Sequence, residues 1–320
     1  MLYDVPAPAK VNLFLHVVGR RSDGYHLLQT VFQFIDLCDT LHFDVQSDGA
    51  ITRDIDVPGV AEADDLTLKA ARALQSACGV RQGVRIRLEK RIPTGGGLGG
   101  GSSDAASTLI ALNRLWGCGL SRQALMQLAL PLGADVPVFV FGQPAFAEGV
   151  GEKLTAVCLP PSTFVVAQPQ VSVPTPQIFR DPYLTRDTFV VTIADFLARP
   201  NSTFGRNDLE SVACRLYPEV GTGLETMAQC VANVLQAQAG TGSTTDGNVL
   251  EDAGSRQVTL PVVRMSGSGA CTFVQCQDPE QAELVEREIV ATMRGAGQFF
   301  KLVQVCSGLN EHPLRSWIAN

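Results

Sequence analysis

Short alternating runs and longer helical repeats succeed one another along the chain. VNLFLHVVG (11–19) is β-branched and aromatic and ends on glycine, which predicts a strand. LHFDVQ (41–46) and VRIRLEKRI (84–92) alternate apolar with polar residues and predict two more strands, the second closed by Pro93. Between the first two, the turn-rich RRSDGYH leads into LLQTVFQFIDL, whose length fits either a strand or a helix. From Asp65 to Cys78 the apolar residues Leu66, Ala70, Ala73, Leu74 and Ala77 fall on one helical face, and Gly79 stops it. SDAASTLIALNRLW (103–116) puts Ala105, Leu109, Leu112 and Trp116 on one face, with Ser102 or Ser103 as its N-cap. SRQALMQLALPLG (121–133) reads as a helix capped by Ser121, and ADVPVFVFG as a buried strand.

The second half repeats the alternation. FVVAQP (164–169) predicts a strand and VSVPTPQIF a proline-punctuated connection. NDLESVACRLY, capped by Asn207, and GLETMAQCVANVLQAQ predict helices. VVRMSGSGACTFVQC reads as strand, glycine turn and strand; PEQAELVEREIVATMR as a helix; QFFKLVQV as a last strand. AGTGSTTDGNVLEDAGSRQ (239–257) is rich in Gly, Ser, Thr and Asp and reads as a mobile surface insertion. Strands and helices mix in both halves, so two α+β or α/β domains are expected, residues 1–155 and 156–320.

Composition narrows the function. Of 320 residues, 45% are hydrophobic and 18% charged, as in an ordinary globular protein. A net charge of −7 disfavours nucleic-acid or membrane-surface partners, while leaving room for a local basic pocket. No apolar run reaches the roughly 18 residues of a bilayer span. MLYDVPAPAK lacks the basic start and apolar core of a signal peptide, so a cytoplasmic location is expected. The nine cysteines are scattered, odd in number and never spaced C-x-x-C, and the four histidines lack metal spacing. Reduced thiols and no protein-built metal centre are therefore expected.

One stretch stands apart. In RIPTGGGLGGGSSDAAS, six of the seven residues from Gly95 to Gly101 are glycine, set between a strand and a helix. Such a turn clusters backbone N–H groups at the positive end of a helix, an anion site whose usual occupant is phosphate. The P-loop pattern fails because no lysine follows the glycines. G-x-G-x-x-G matches at Gly95, Gly97 and Gly100, but after Asp104 the next acid is Asp135, too distant for a ribose carboxylate. A long glycine loop wrapping a phosphate chain, with Ser102 or Ser103 adding a hydroxyl to phosphate or metal, is the reading that remains.

PAKVNLFLHVVGRRSDGYHLLQT, PTGGGLGGGSSDAA, LGADVPVFVFGQPAFAEGVGE and MSGSGACTFV, in that order, resemble the GHMP kinases. The resemblance is nearly continuous from Pro8 to about Gly151 and patchy beyond. It implies an α+β, two-domain GHMP kinase fold: a ribosomal-protein-S5-domain-2-like N-terminal domain with a left-handed crossover, then a ferredoxin-like domain, with the site between them. It implies ATP and Mg²⁺ as cofactors, with ATP on Lys90, Pro93, Gly95, Gly96, Gly97, Leu98, Gly99, Gly100, Gly101, Ser102, Ser103 and Asp104, and on Asp65. Asp135 matches the family's catalytic base and Lys10 its partner.

The match is nearest to the branch whose substrate is a cytidine diphosphate ester of methylerythritol. Tyr25 would then stack on the cytosine, His26 bond its edge and Phe179 close the other face, with Asn12 near the acceptor hydroxyl. Gly267 and Ser268, in SGSGA, correspond to the third family motif, where threonine is usual at 268. Asp65 and Asp104 stand where relatives often carry asparagine, and a carboxylate cannot donate as an amide does. The alternatives are another small-molecule GHMP kinase, of homoserine or mevalonate type, and a nucleotide-binding sensor without catalysis.

Overall fold

The computed structural model describes residues 1–56, 59–199, 204–241 and 261–318. Two long antiparallel strands, β1 (Leu2–Arg20) and β2 (His26–Gln46), form its spine. The ambiguous LLQTVFQFIDL is thus the first half of β2, continuous with 41–46. On its other edge β2 serves three partners in turn: β5 (Ala145–Glu148) at residues 30–32, β10 (Phe300–Leu309) at 34–35, and β4 (Gly83–Glu89) at 40–46. β6 (Lys153–Ala156) extends β5, and β3 (Ile51–Arg53) lies beside β4. Among the described strand pairs β3·β4 alone is parallel, joined through helix α1 (Leu66–Cys78).

Three more helices cover this sheet: α2 (Gly100–Leu115), α3 (Arg122–Ala129) and α4 (Val136–Phe141). The last corrects the expected strand at ADVPVFVFG. A short run that is apolar throughout has no period to read. Pro137 sits in its first turn, Gly142 closes it at φ 76° by donating to the Val138 carbonyl, and packing on every side buries Val136 to Val140. Phe139 stacks on Phe34 of β2 at 5.4 Å.

The second unit begins at β7 (Thr163–Pro169), followed by the short helices α5 (Thr175–Arg180) and α6 (Ile193–Leu197). Next come α7 (Glu210–Leu216), α8 (Pro218–Thr241), β8 (Arg264–Met265), β9 (Thr272–Cys276), α9 (Pro279–Ala296) and β10. The sheet order is β10-β7-β9-β8, all antiparallel, the ferredoxin-like arrangement. Both faces of this sheet are buried. Val165 and Ala167 of β7 meet Met227 and Val231 of α8 and Val285 of α9, while Phe164 and Val166 meet Val11, Leu13 and Phe14 of β1. That double burial makes β7 apolar at successive positions and joins the two units.

Most of the proposed insertion at 239–257 lies outside the described residues; its first three residues end α8. Among the described residues no helix is long and apolar enough to cross a membrane.

After β10 the chain returns to the first unit. The His312 ring is buried edge-on to Phe34, its Nδ1 accepting from Leu314 N at 3.1 Å and its Nε2 lying 3.4 Å from Ser107 Oγ. Burial, aided by nearby Arg122, pushes the imidazole down to about 3. The unfolded chain takes up a proton near pH 6.5 that the native state refuses, so stability falls as pH drops from about 6.5 toward 3. Between pH 6 and 5 the wild type should lose about 1 kcal/mol more than His312→Asn, which keeps an acceptor for Leu314 N. Urea unfolding at the two pH values measures this; equal losses would contradict the assignment.

Candidate functional site

A cleft of about 870 Å³ runs between the two units. Lys10, on the inward face of β1, is buried there and uses its ammonium fully. Nζ donates to Asn12 Oδ1 at 2.6 Å and to the Gly97 carbonyl at 2.9 Å, and pairs with Asp135 Oδ2 at 3.3 Å. Asn12, two residues along the same face, donates through Nδ2 to Thr30 Oγ1 of β2 at 2.9 Å, which fixes its amide orientation. Asp135 sits at the N-cap position of α4 but caps nothing, so its half-exposed carboxylate is free to face the cleft.

The glycine loop is laid on this platform. Lys10 N donates to the Leu98 carbonyl, and the 266–271 turn takes the rest: Ala270 N to Gly95 O, Cys271 N to Gly96 O and Ser266 Oγ to Gly97 O. A Cβ at Gly97 would stand 2.0 Å from the Ser266 carbonyl, and one at Gly96 2.6 Å from Cys271 Sγ. Those two glycines are therefore required by protein packing, independently of any occupant. The expected serine cap of α2 is absent: Gly99, at φ 74°, occupies the N-cap position with no side-chain bond. The first helical bond is Ser103 N to Gly99 O, so the N–H groups of Gly100, Gly101 and Ser102 precede the helical ladder. This is a strand–loop–helix anion cradle.

Around it, Lys90 Nζ reaches Asp39 Oδ2 at 2.5 Å and Asp104 Oδ2 at 2.8 Å. Burial above all pushes the Asp104 carboxyl well up, against the pull of Lys90; the paired carboxylates in turn raise Lys90 despite its own burial. Asp65 caps α1, accepting from Thr67 N at 2.9 Å and Leu68 N at 3.4 Å, and faces Arg53 at 3.5 Å. At both positions the side chain accepts from protein donors, a role that needs no donor of its own.

At the far end Tyr25 stands exposed beside His26, whose ring meets Phe179 at 5.1 Å and 34°. Burial first, then Arg186 and Arg20, hold the His26 imidazole below its usual range. Gly267, at φ 55°, closes on Gly97 and Lys10, and Ser268 Oγ lies 2.7 Å from Thr175 Oγ1.

Every residue expected at the site from sequence lines the cleft except Ser103, which is buried with its hydroxyl turned from it and unpartnered. Helical rotation past Ser102 carries it to the core face of α2. Sequence reasoning missed Thr30, Thr175, Arg20 and Arg180, all of which line the cleft. It also misread Asn207. That residue precedes α7 rather than capping it, and its Nδ2 pins the 266–271 turn through the Met265 and Gly267 carbonyls at 2.8 and 2.7 Å.

Comparison with known proteins agrees with this geometry. Residues 65–143 match the model of the GHMP kinases N terminal domain. The chain is 61% identical to the 4-diphosphocytidyl-2-C-methyl-D-erythritol kinase of Bordetella bronchiseptica, over 100% of this chain and 99% of that one. It is 50% identical to the kinase of the same name from Ralstonia nicotianae, over 98% and 96%. A crystal structure of 4-(cytidine 5'-diphospho)-2C-methyl-D-erythritol kinase superposes with a TM-score of 0.71 at 35% identity, covering 95% of this chain and 98% of the other. With that identity sustained from end to end, and the glycine cradle, the Lys10–Asp135 pair and the ferredoxin-like unit all in place, this chain belongs to the GHMP kinases, in the family of 4-diphosphocytidyl-2-C-methyl-D-erythritol kinases.

Proposed function

We propose that this chain transfers the γ-phosphoryl group of ATP to the 2-hydroxyl of 4-diphosphocytidyl-2-C-methyl-D-erythritol, a step of non-mevalonate isoprenoid precursor synthesis. The observation that carries the reading is the buried Lys10 ammonium, held at once by Asn12, the Gly97 carbonyl and Asp135 beside the anion cradle. Phosphoryl transfer needs a hydroxyl aligned with the γ-phosphate, a proton acceptor and positive charge near the developing alkoxide. Asp135 takes the hydroxyl proton; Lys10, 3.3 Å from that carboxylate, stabilises the alkoxide; Asn12 orients the acceptor.

The N–H groups of Gly100, Gly101 and Ser102 hold the phosphate chain, and the loop from Lys90 and Pro93 onward, with Asp65, borders the nucleotide. Mg²⁺ suits the hard oxygen of the Ser102 hydroxyl, which lines the cleft beside the cradle, and would neutralise phosphate charge. Tyr25 and Phe179 hold the cytosine between them, with His26 at its edge. We divide the chain at 155/156 into a catalytic and a ferredoxin-like unit. The cysteines are all free thiols, which suits a cytoplasmic enzyme.

The test is ADP release with the cytidyl substrate, beside mevalonate as control. Asp135→Asn should lower kcat by about 10²–10⁴-fold while ATP still binds, since only the proton acceptor is lost. Unchanged turnover in that variant would remove Asp135 from the role of base. Gly97→Ala should also lower kcat/KM for ATP, by on the order of 100-fold, because its Cβ drives the loop off the Ser266 carbonyl. Normal kinetics there would mean that loop and turn need not touch.

A further inference from the structure

Arg186 lies in the segment after α5, outside the cleft lining, and all three of its guanidinium nitrogens are engaged. Nη1 donates to the Leu184 carbonyl at 2.9 Å. Nη2 donates to the carbonyls of Phe179 at 3.2 Å and Asp181 at 2.7 Å. Nε donates to His26 Nε2 at 3.0 Å. A guanidinium has donors only, so Nε2 of His26 is the acceptor in that bond. An imidazole that accepts through Nε2 carries its single proton on Nδ1, a tautomer assigned here from the hydrogen-bond network. Nδ1 has no hydrogen-bond partner among the described residues, and His26 lines the cleft. Burial first, and then the two cations beside the ring, Arg186 and Arg20, disfavour the charged imidazole. The same guanidinium holds the backbone of Phe179, whose ring faces His26.

We propose that Arg186 is a positioning residue for base recognition, locking His26 as the Nδ1–H tautomer so that the cleft offers the base a hydrogen-bond donor. A donor there fits N3 of a cytosine, which accepts, and repels N3–H of a uracil, which donates. The clamp thereby turns a residue with two possible tautomers into a one-way reader of the pyrimidine edge. This inference rests on the reading of Tyr25, His26 and Phe179 as the base site.

Two measurements on the full chain test it. Imidazole ¹⁵N NMR of the free protein at pH 7 should show His26 neutral and protonated at Nδ1, and Arg186→Ala should convert it to a tautomer mixture. Calorimetry with CDP and UDP as probes should show CDP preferred by wild type, and that preference should shrink by about 10-fold in Arg186→Ala, the worth of one hydrogen bond. Arg186→Lys, which keeps a donor for Nε2 but not the backbone bonds, should restore the tautomer and most of the preference. A wild-type ring protonated at Nε2, or doubly protonated, overturns the clamp. So does an Arg186→Ala protein that keeps the tautomer and weakens CDP and UDP equally, since that is what a purely structural role gives. Wild type that binds neither nucleotide overturns the base reading and the discrimination with it, while the NMR result still reports on the clamp.

Discussion

The contact between the glycine loop and the 266–271 turn is the constraint on which the site depends. Three successive carbonyls, Gly95 to Gly97, accept from the second unit, through Ala270 N, Cys271 N and Ser266 Oγ. With its carbonyls fixed on that side, the loop enters α2 with the helix's first N–H groups uncapped. A glycine loop on its own is the least ordered part of a chain; here its entropy is removed by hydrogen bonds to a buried turn before any ligand arrives. That turn is in turn pinned by Asn207, so the anion cradle is a property of both units together.

Lys10 is the other half of the arrangement. A buried ammonium is destabilising unless oxygen atoms surround it, and this one has an amide, a carbonyl and a carboxylate from three different elements. Its charge therefore fixes the loop, α4 and β1 relative to one another, and Asn12 and Thr30 extend the same chain of bonds to β2. The ion pair is poor evidence for stability and good evidence for pre-organisation. Asp135 remains half exposed, which leaves its carboxylate accessible from the cleft while its surroundings are fixed.

What the sequence disclosed and what it hid follow one physical line. Features carried by local period or by a run of residues were legible: the α1, α3 and α9 helices, the alternating strands, the glycine loop and the four motifs around it. What depended on long-range packing was not. Val136 to Val140 are buried on all sides, so α4 carries no amphipathic period to separate it from a strand. The serine cap of α2 was a sound local expectation, overridden because Gly99 adopts a conformation that only the loop's anchoring explains. Gly96 and Gly97 invited a reading through a ligand, whereas a sulfur and a carbonyl from far along the chain exclude their side chains. Asn207 offered only a helix cap and Arg186 no sign at all, since their partners lie on other elements and no spacing rule connects them.

The two ends of the cleft are built on opposite principles, and that difference explains the distribution of charge in the site. At the glycine-loop end, backbone N–H groups and one buried lysine supply the positive potential, and Lys90 is already paired with Asp39 and Asp104. Fixed dipoles need no counter-ions when the site is empty, so the chain can hold a net charge of −7 and still receive a polyanion. At the proposed base end, recognition would fall to side chains, of which Tyr25 is largely exposed and His26 has two possible neutral tautomers. Flexible or ambiguous groups discriminate only if something rigid holds them. Arg186, with its guanidinium tied to three backbone carbonyls, has that rigidity without touching the cleft itself.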